Sequence, residues 1–138
     1  MKKIFLALFL LSFAATFSAE ASDYTKWGSL NNGGIKSTVD YPKGYSAISE
    51  SIKINPNSYG KQLNFSVYVQ SINVTNYAEL WFRFDNNNVR YGDKIIGTSN
   101  RKVYTLTTPP VPRGIKYMHF GVILEGVGRI NTSSYQLR

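Results

Sequence analysis

The sequence predicts an all-β protein, an antiparallel β-sandwich, and three observations lead to that prediction. Apolar and polar side chains alternate along several segments, which is the period of a strand with one face in a core. β-Branched and aromatic residues fill these segments, while glycine, proline and asparagine cluster between them. No window of eleven or more residues carries a helical stripe of apolar side chains.

The N-terminal residues have the pattern of an export signal. Lys2 and Lys3 precede an apolar run over residues 4–13, which is too short to span a bilayer. Ala19 and Ala21 supply the small side chains of a cleavage site, so we expect cleavage after Ala21. The sequence therefore predicts a signal peptide over residues 1–21 and a periplasmic or secreted product.

The remaining residues, 22–138, are expected to form a single β-sandwich domain, because the chain is too short for more than one ordinary domain. They contain no second apolar run of membrane-spanning length, so we expect no transmembrane segment in the mature chain. The absence of cysteine excludes disulfide scaffolds, thiolate zinc sites and cysteine nucleophiles. Cleavage lowers the net charge from +8 to +7, which favours anionic partners.

The predicted strands differ in how clearly they alternate. The clearest cover residues 63–69, 78–84 and 117–124, and weaker candidates cover 35–41, 45–54, 101–107 and 129–137. Turn residues separate them at 31–34, 42–44, 55–57, 85–88, 109–112 and 126–128.

Three motifs in the second half carry a resemblance to a known family. They are Leu80-Trp81-Phe82-Arg83-Phe84-Asp85, Gly97-Thr98 ahead of Tyr104, and the segment from Phe120 to Gly128 with the pattern FGV-x-L-x-G-x-G. In order and spacing these resemble bacterial jelly-roll β-sandwich domains of the galactose-binding-like, carbohydrate-binding-module-like type. The resemblance implies a ligand-binding or accessory module. The chain departs from the family pattern at residues 99–101, which lack an aromatic residue, and at 131–133, which lack an acidic pair.

The most informative candidate site is the polar side of the strand over residues 78–85. Alternation places Glu79, Trp81, Arg83 and Asp85 on one face, opposite Leu80 and its apolar neighbours. If neighbouring strands pair as in the resembled fold, some of their residues join that face, and the candidate binding residues among them are Asn64, Tyr68, Tyr117 and His119. An aromatic ring surrounded by guanidinium, carboxylate and amide groups suits a sugar. The alternative is that Trp81 lies under a loop as part of a second small core.

Catalytic and metal sites are not predicted. Glu79 and Asp85 lie six residues apart on one strand, about 20 Å, which is too far for paired-carboxylate hydrolysis. No nucleophile elbow accompanies the single histidine, His119, and the acidic loop at 85–88 is interpreted as a turn rather than a calcium site. We expect no enzyme activity, no cofactor and no bound metal.

The sequence therefore leads to two functional hypotheses. The first is an exported, non-catalytic module that binds a carbohydrate or another cell-envelope component through the Trp81 face. The second is a protein-interaction module such as an inhibitor, immunity factor or effector, which the ten tyrosines would also suit. Nucleic acid is not expected as a partner, because the chain has no basic run or recognition helix.

Overall fold

The computed structural model describes residues 24–40, 45–86 and 89–138, and most of these residues belong to β-strands. The predicted signal peptide, the turn at 42–44 and Asn87-Asn88 lie outside the described residues. Eight strands follow one another along the described chain: β1 (Tyr24–Ser29), β2 (Asn32–Ser37), β3 (Tyr45–Lys53), β4 (Asn64–Phe84), β5 (Val89–Tyr91), β6 (Ile95–Thr107), β7 (Tyr117–Glu125) and β8 (Gly128–Leu137). The described chain contains no helix long and apolar enough to cross a membrane, and a 3-10 turn at Pro56–Ser58 is its one helical element.

The strands form two layers, which we call sheet A and sheet B, and the long strand β4 takes part in both. Residues 65–72 pair with β8, whereas residues 77–84 pair with β7, and every strand pairing between named elements is antiparallel. The register shifts between Val69 and Ala78, where Asn73 has a φ of 52°. This irregularity lets the strand bend from one layer into the other, as β-bulges do. Sheet A has the order β1-β2-β8-β4-β6, and sheet B has the order β3-β7-β4-β5.

The core lies between the two sheets. Phe65 from sheet A meets Phe120 from sheet B with ring centroids 4.9 Å apart, and Tyr135 packs on the same ring. Phe82 and Phe84 extend the core along β4, and both are at most 1% exposed. The predicted all-β antiparallel sandwich is confirmed, as is the burial of the even-numbered side chains from Ala78 to Phe84.

Several elements differ from the predicted ones. Two of the three clearest predicted strands, at 63–69 and 78–84, are parts of the single strand β4. Strand β1 was not predicted, and the expected turn at 31–34 is wrong beyond Asn31, because Gly33 and Gly34 continue β2. Glycine is required at position 34, where a Cβ would overlap the backbone carbonyl oxygen of Ile130 and lie 2.5 Å from Cζ2 of Trp27.

Candidate functional site

The outward face of sheet B presents the predicted tryptophan at its centre. Trp81 on β4 is paired with Gly121 on β7 and with Tyr91 on β5. One row further along, Arg83 is paired with His119 and with Val89. Because directly paired residues project to the same side of a sheet, the indole, the guanidinium and the imidazole share this face.

A cleft of about 370 Å³ opens over Trp81. Tyr45 stands on β3 and Tyr91 on β5, at opposite edges of sheet B, and they are 62% and 55% exposed. The indole itself is only partly exposed. The cleft is lined by Tyr45, Ala47, Trp81, Arg83, Val89, Tyr91 and Ile123. It is therefore a shallow aromatic depression with one cation in its wall.

Gly121 determines how closely β3 and β7 approach each other beneath this cleft. It is paired with Ser49 on one side and with Trp81 on the other, in the middle of the sheet. A Cβ at Gly121 would overlap the carbonyl oxygen of Ile48 and lie 2.8 Å from the Cα of Ser49. The absence of a side chain therefore lets β3 approach β7 closely and leaves no side chain between Ser49 and the indole.

Glu79 is paired with Ile123, which lines the cleft, and has an unusual environment for a carboxylate. It is 7% exposed, although it projects to the outward face beside Ile123. Burial raises its pKa above the ordinary value of 4.5; the Lys94 ammonium opposes this rise and the neighbouring Glu125 carboxylate adds to it. Glu125 is held in turn by the hydroxyl of Tyr77, and Lys94 lies 3.9 Å from the centre of the Tyr77 ring.

The other end of the face is polar and carries a hydrogen-bonded serine and histidine. Ser51 Oγ lies 2.5 Å from Nδ1 of His119, across the β3–β7 pair. No carboxylate of the described chain contacts the imidazole, so the pair lacks the third group that orients a catalytic histidine. No group of three or more His, Asp or Glu side chains within the described residues could hold a metal ion.

Asp85 has a structural role that the alternation did not predict. Its Oδ2 accepts hydrogen bonds from the backbone amides of Lys116 and Tyr117, at 3.1 and 3.3 Å. It therefore fixes the start of β7 at the end of sheet B. The Tyr117 side chain is 48% exposed and projects outward beyond the His119 row.

Two predicted site residues lie on the other sheet. Asn64 is paired with Thr107, and Tyr68 is paired with Val103 and Ser133, all within sheet A. Tyr68 is 13 positions from Trp81 on the same strand, and β4 changes sheets between them. The expectation that Asn64 and Tyr68 lie beside the tryptophan is therefore wrong, because one bent strand had been interpreted as two neighbouring strands.

The structure adds residues that the sequence analysis missed. Tyr45 and Ala47 could have been found from the strand at 45–54, since they alternate with Ile48 and so point away from the core. Tyr91 and Val89 had no detectable signal, because β5 is three residues long. Three residues are too few to show a period of two.

No protein-family model matches the sequence, and no curated protein matches it. Solved structures share the fold. A family 16 carbohydrate-binding module matches with a TM-score of 0.54 at 10% identity, over 77% of this chain and 76% of that one. The enzymatically active domain of bacteriophage CBA120 tailspike protein 4 matches with a TM-score of 0.55 at 16% identity, over 83% of this chain and 17% of that one. At these identities the similarity shows the fold alone.

Proposed function

We propose that the protein is an exported, non-catalytic module that binds a carbohydrate or another cell-envelope component in the Trp81 cleft. The observation that carries the proposal is that Tyr45, Trp81 and Tyr91 line one cleft, with Arg83 in its wall. A sugar ring stacks its C–H face on an indole, while its hydroxyl groups need planar donors and acceptors at the edge. The cleft combines both in one depression.

Two further observations support this proposal. A family 16 carbohydrate-binding module has the same fold, although a fold by itself does not determine a function. The indole Nε1 is buried and has no hydrogen-bond partner within the described residues. A buried donor without a partner is costly, and small rearrangement on binding would let a ligand hydroxyl or carbonyl satisfy it.

Replacing Trp81 with alanine tests the proposal on a glycan array and in affinity gels. We expect at least about tenfold weaker glycan binding, equivalent to about 1.4 kcal/mol. Tyr91→Ala, at an edge strand and 55% exposed, should weaken binding without the risk of unfolding. Trp27→Ala removes the second tryptophan, which lies on sheet A, and should leave the binding of uncharged glycans unchanged. Unchanged binding by both Trp81→Ala and Tyr91→Ala would disprove the assignment.

The alternative function is a protein-interaction module, and the exposed apolar side chains of the same face favour it. Tyr45, Val89, Tyr91 and Tyr117 are each 44–62% exposed around the cleft. Tyrosines in such a patch are typical of protein interfaces. Capture of one envelope protein that depends on Tyr45 and Tyr117, with an empty glycan array, would favour this alternative.

Export is the remaining part of the proposal. It depends on the signal peptide predicted over residues 1–21 and on cleavage after Ala21. Fractionation followed by N-terminal sequencing of the exported product should give Ser22 as its first residue. Full-length protein retained in the cytoplasm would contradict it.

A further inference from the structure

The two sheets differ in the charge of their strands. The strands of sheet B contain acidic and basic residues in equal number: Glu50, Glu79, Glu125, Lys53, Arg83 and Arg90. The strands of sheet A, counting residues 64–72 of β4, contain basic residues and no Asp or Glu: Lys26, Lys36, Arg101, Lys102 and Arg129. Much of the chain's positive charge is therefore carried by one layer.

Three of these cations project from the outward face of sheet A. Lys36 and Arg129 are direct partners on β2 and β8, and both are exposed. Arg101 reaches across β4, where its Nη1 donates to Oγ of Ser133 at 2.9 Å. Within the described residues neither Lys36 nor Arg129 has a carboxylate partner. Like charges directly opposite each other destabilise a sheet, so a bound anion between them would relieve the repulsion.

The same face carries a tryptophan and a row of planar polar groups. Trp27 is paired with Gly34 and lies across it, and the Arg129 guanidinium is 4.9 Å from the indole ring centre. Arg129 Nε donates to Oδ1 of Asn131 at 3.3 Å, and Asn131 Nδ2 donates to Oε1 of Gln70 at 3.0 Å. The planar groups thus run from the indole at one edge to the central strand.

We propose that this surface, defined by Trp27, Lys36, Gln70, Arg101, Arg129 and Asn131 and called the basic face, binds a polysaccharide that carries carboxylate groups. The cations would pair with its carboxylates, and the amides would hydrogen-bond neighbouring hydroxyl groups. The spacing of aromatic residues favours a polysaccharide over a nucleic acid. Tyr68 is three strands away from Trp27, about 14 Å, whereas successive bases need adjacent stacking partners. The basic face lies on the opposite sheet from the Trp81 cleft, so this proposal is independent of the proposed function.

Affinity electrophoresis of the mature chain tests the proposal with three carboxylated probes: polygalacturonate, alginate and hyaluronate. Methyl-esterified polygalacturonate is the uncharged control, and dextran sulfate and DNA are control polyanions. We expect retardation by at least one carboxylated probe and none by the ester. Lys36→Gln combined with Arg101→Gln and Arg129→Gln should weaken that binding at least about tenfold. The matched control replaces Lys53, Lys61 and Arg113, which are equally exposed, and should change binding much less.

Trp27→Ala separates sugar recognition from simple charge attraction, because it changes no charge. It should weaken binding of the carboxylated probe while leaving retardation by dextran sulfate unchanged. The proposal is overturned if no carboxylated probe is retarded, or if both charge-removing triple variants lose binding equally. It is also overturned if DNA and dextran sulfate bind as well as the carboxylated probe and Trp27→Ala alters none of them.

Discussion

Gly121 provides the sharpest test of the packing beneath the candidate site. In Gly121→Ala the new methyl group would overlap the Ile48 carbonyl oxygen and approach the Ser49 Cα to 2.8 Å. Both obstacles are backbone atoms of β3, so no side-chain rotation can relieve them. Overpacking of this kind costs about 1–3 kcal/mol. At roughly 4 °C per kcal/mol for a domain of this size, the melting temperature should fall by about 4–12 °C.

Gly92→Ala is the matched control for this experiment. A Cβ at Gly92 would meet nothing closer than the Cβ of Leu80 at 3.6 Å, which is an ordinary contact. Its melting temperature should stay the same or rise, because alanine lowers the conformational entropy of the unfolded chain. This effect stabilises the native state by about 0.4–1 kcal/mol. Both variants are followed by circular dichroism and urea unfolding. If Gly121→Ala and Gly92→Ala have the same melting temperature, the close pairing of Gly121 with Ser49 is incorrect.

Two further predictions concern the core and the buried carboxylate. Phe120→Ala should lower the free energy of unfolding, measured by urea titration, by about 3–5 kcal/mol, because the ring is fully buried against Phe65. Tyr117 is exposed on the same strand, so Tyr117→Ala should lower it far less. Equal losses of stability in the two variants would contradict the core assignment. Because the pKa of Glu79 is raised on folding, the Glu79 carboxyl group stays protonated to higher pH in the native state than in the unfolded chain. The ionisation of Glu79 therefore lowers the unfolding free energy as pH rises from 4.5 through the folded pKa. Glu79→Gln should therefore gain stability over the wild type across that window in a pH series of urea titrations, and a constant difference would contradict the burial effect.

The fold class could be predicted because burial imposes a period of two on each strand. Along β4 the buried apolar side chains are odd-numbered from Phe65 to Val69 and even-numbered from Ala78 to Phe84. This change of parity is visible in the sequence and marks the bend at Asn73. What periodicity does not contain is the identity of the neighbouring strand, because pairing depends on contacts between distant residues.

Alternation alone predicted the part of the candidate site that one strand supplies. Glu79, Trp81 and Arg83 follow from alternation alone, and the structure places all three on the outward face of sheet B. Tyr68 was misplaced because its position depends on which sheet each half of β4 joins. The row from Trp27 to Gln70 was not detectable for the same reason, since it combines β1, β8 and β4, whose pairing the sequence does not specify.

Because β4 takes part in both sheets, the folding of one sheet depends on the folding of the other. Sheet A takes strands from both ends of the described chain, and sheet B takes strands from the stretches between them. A ribosome that has released only the first hundred residues has exposed neither a finished sheet A, which lacks β8, nor a finished sheet B, which lacks β7. Neither layer can therefore serve as an autonomous fragment. A nick near Asn73 would cut the one strand on which both layers are built.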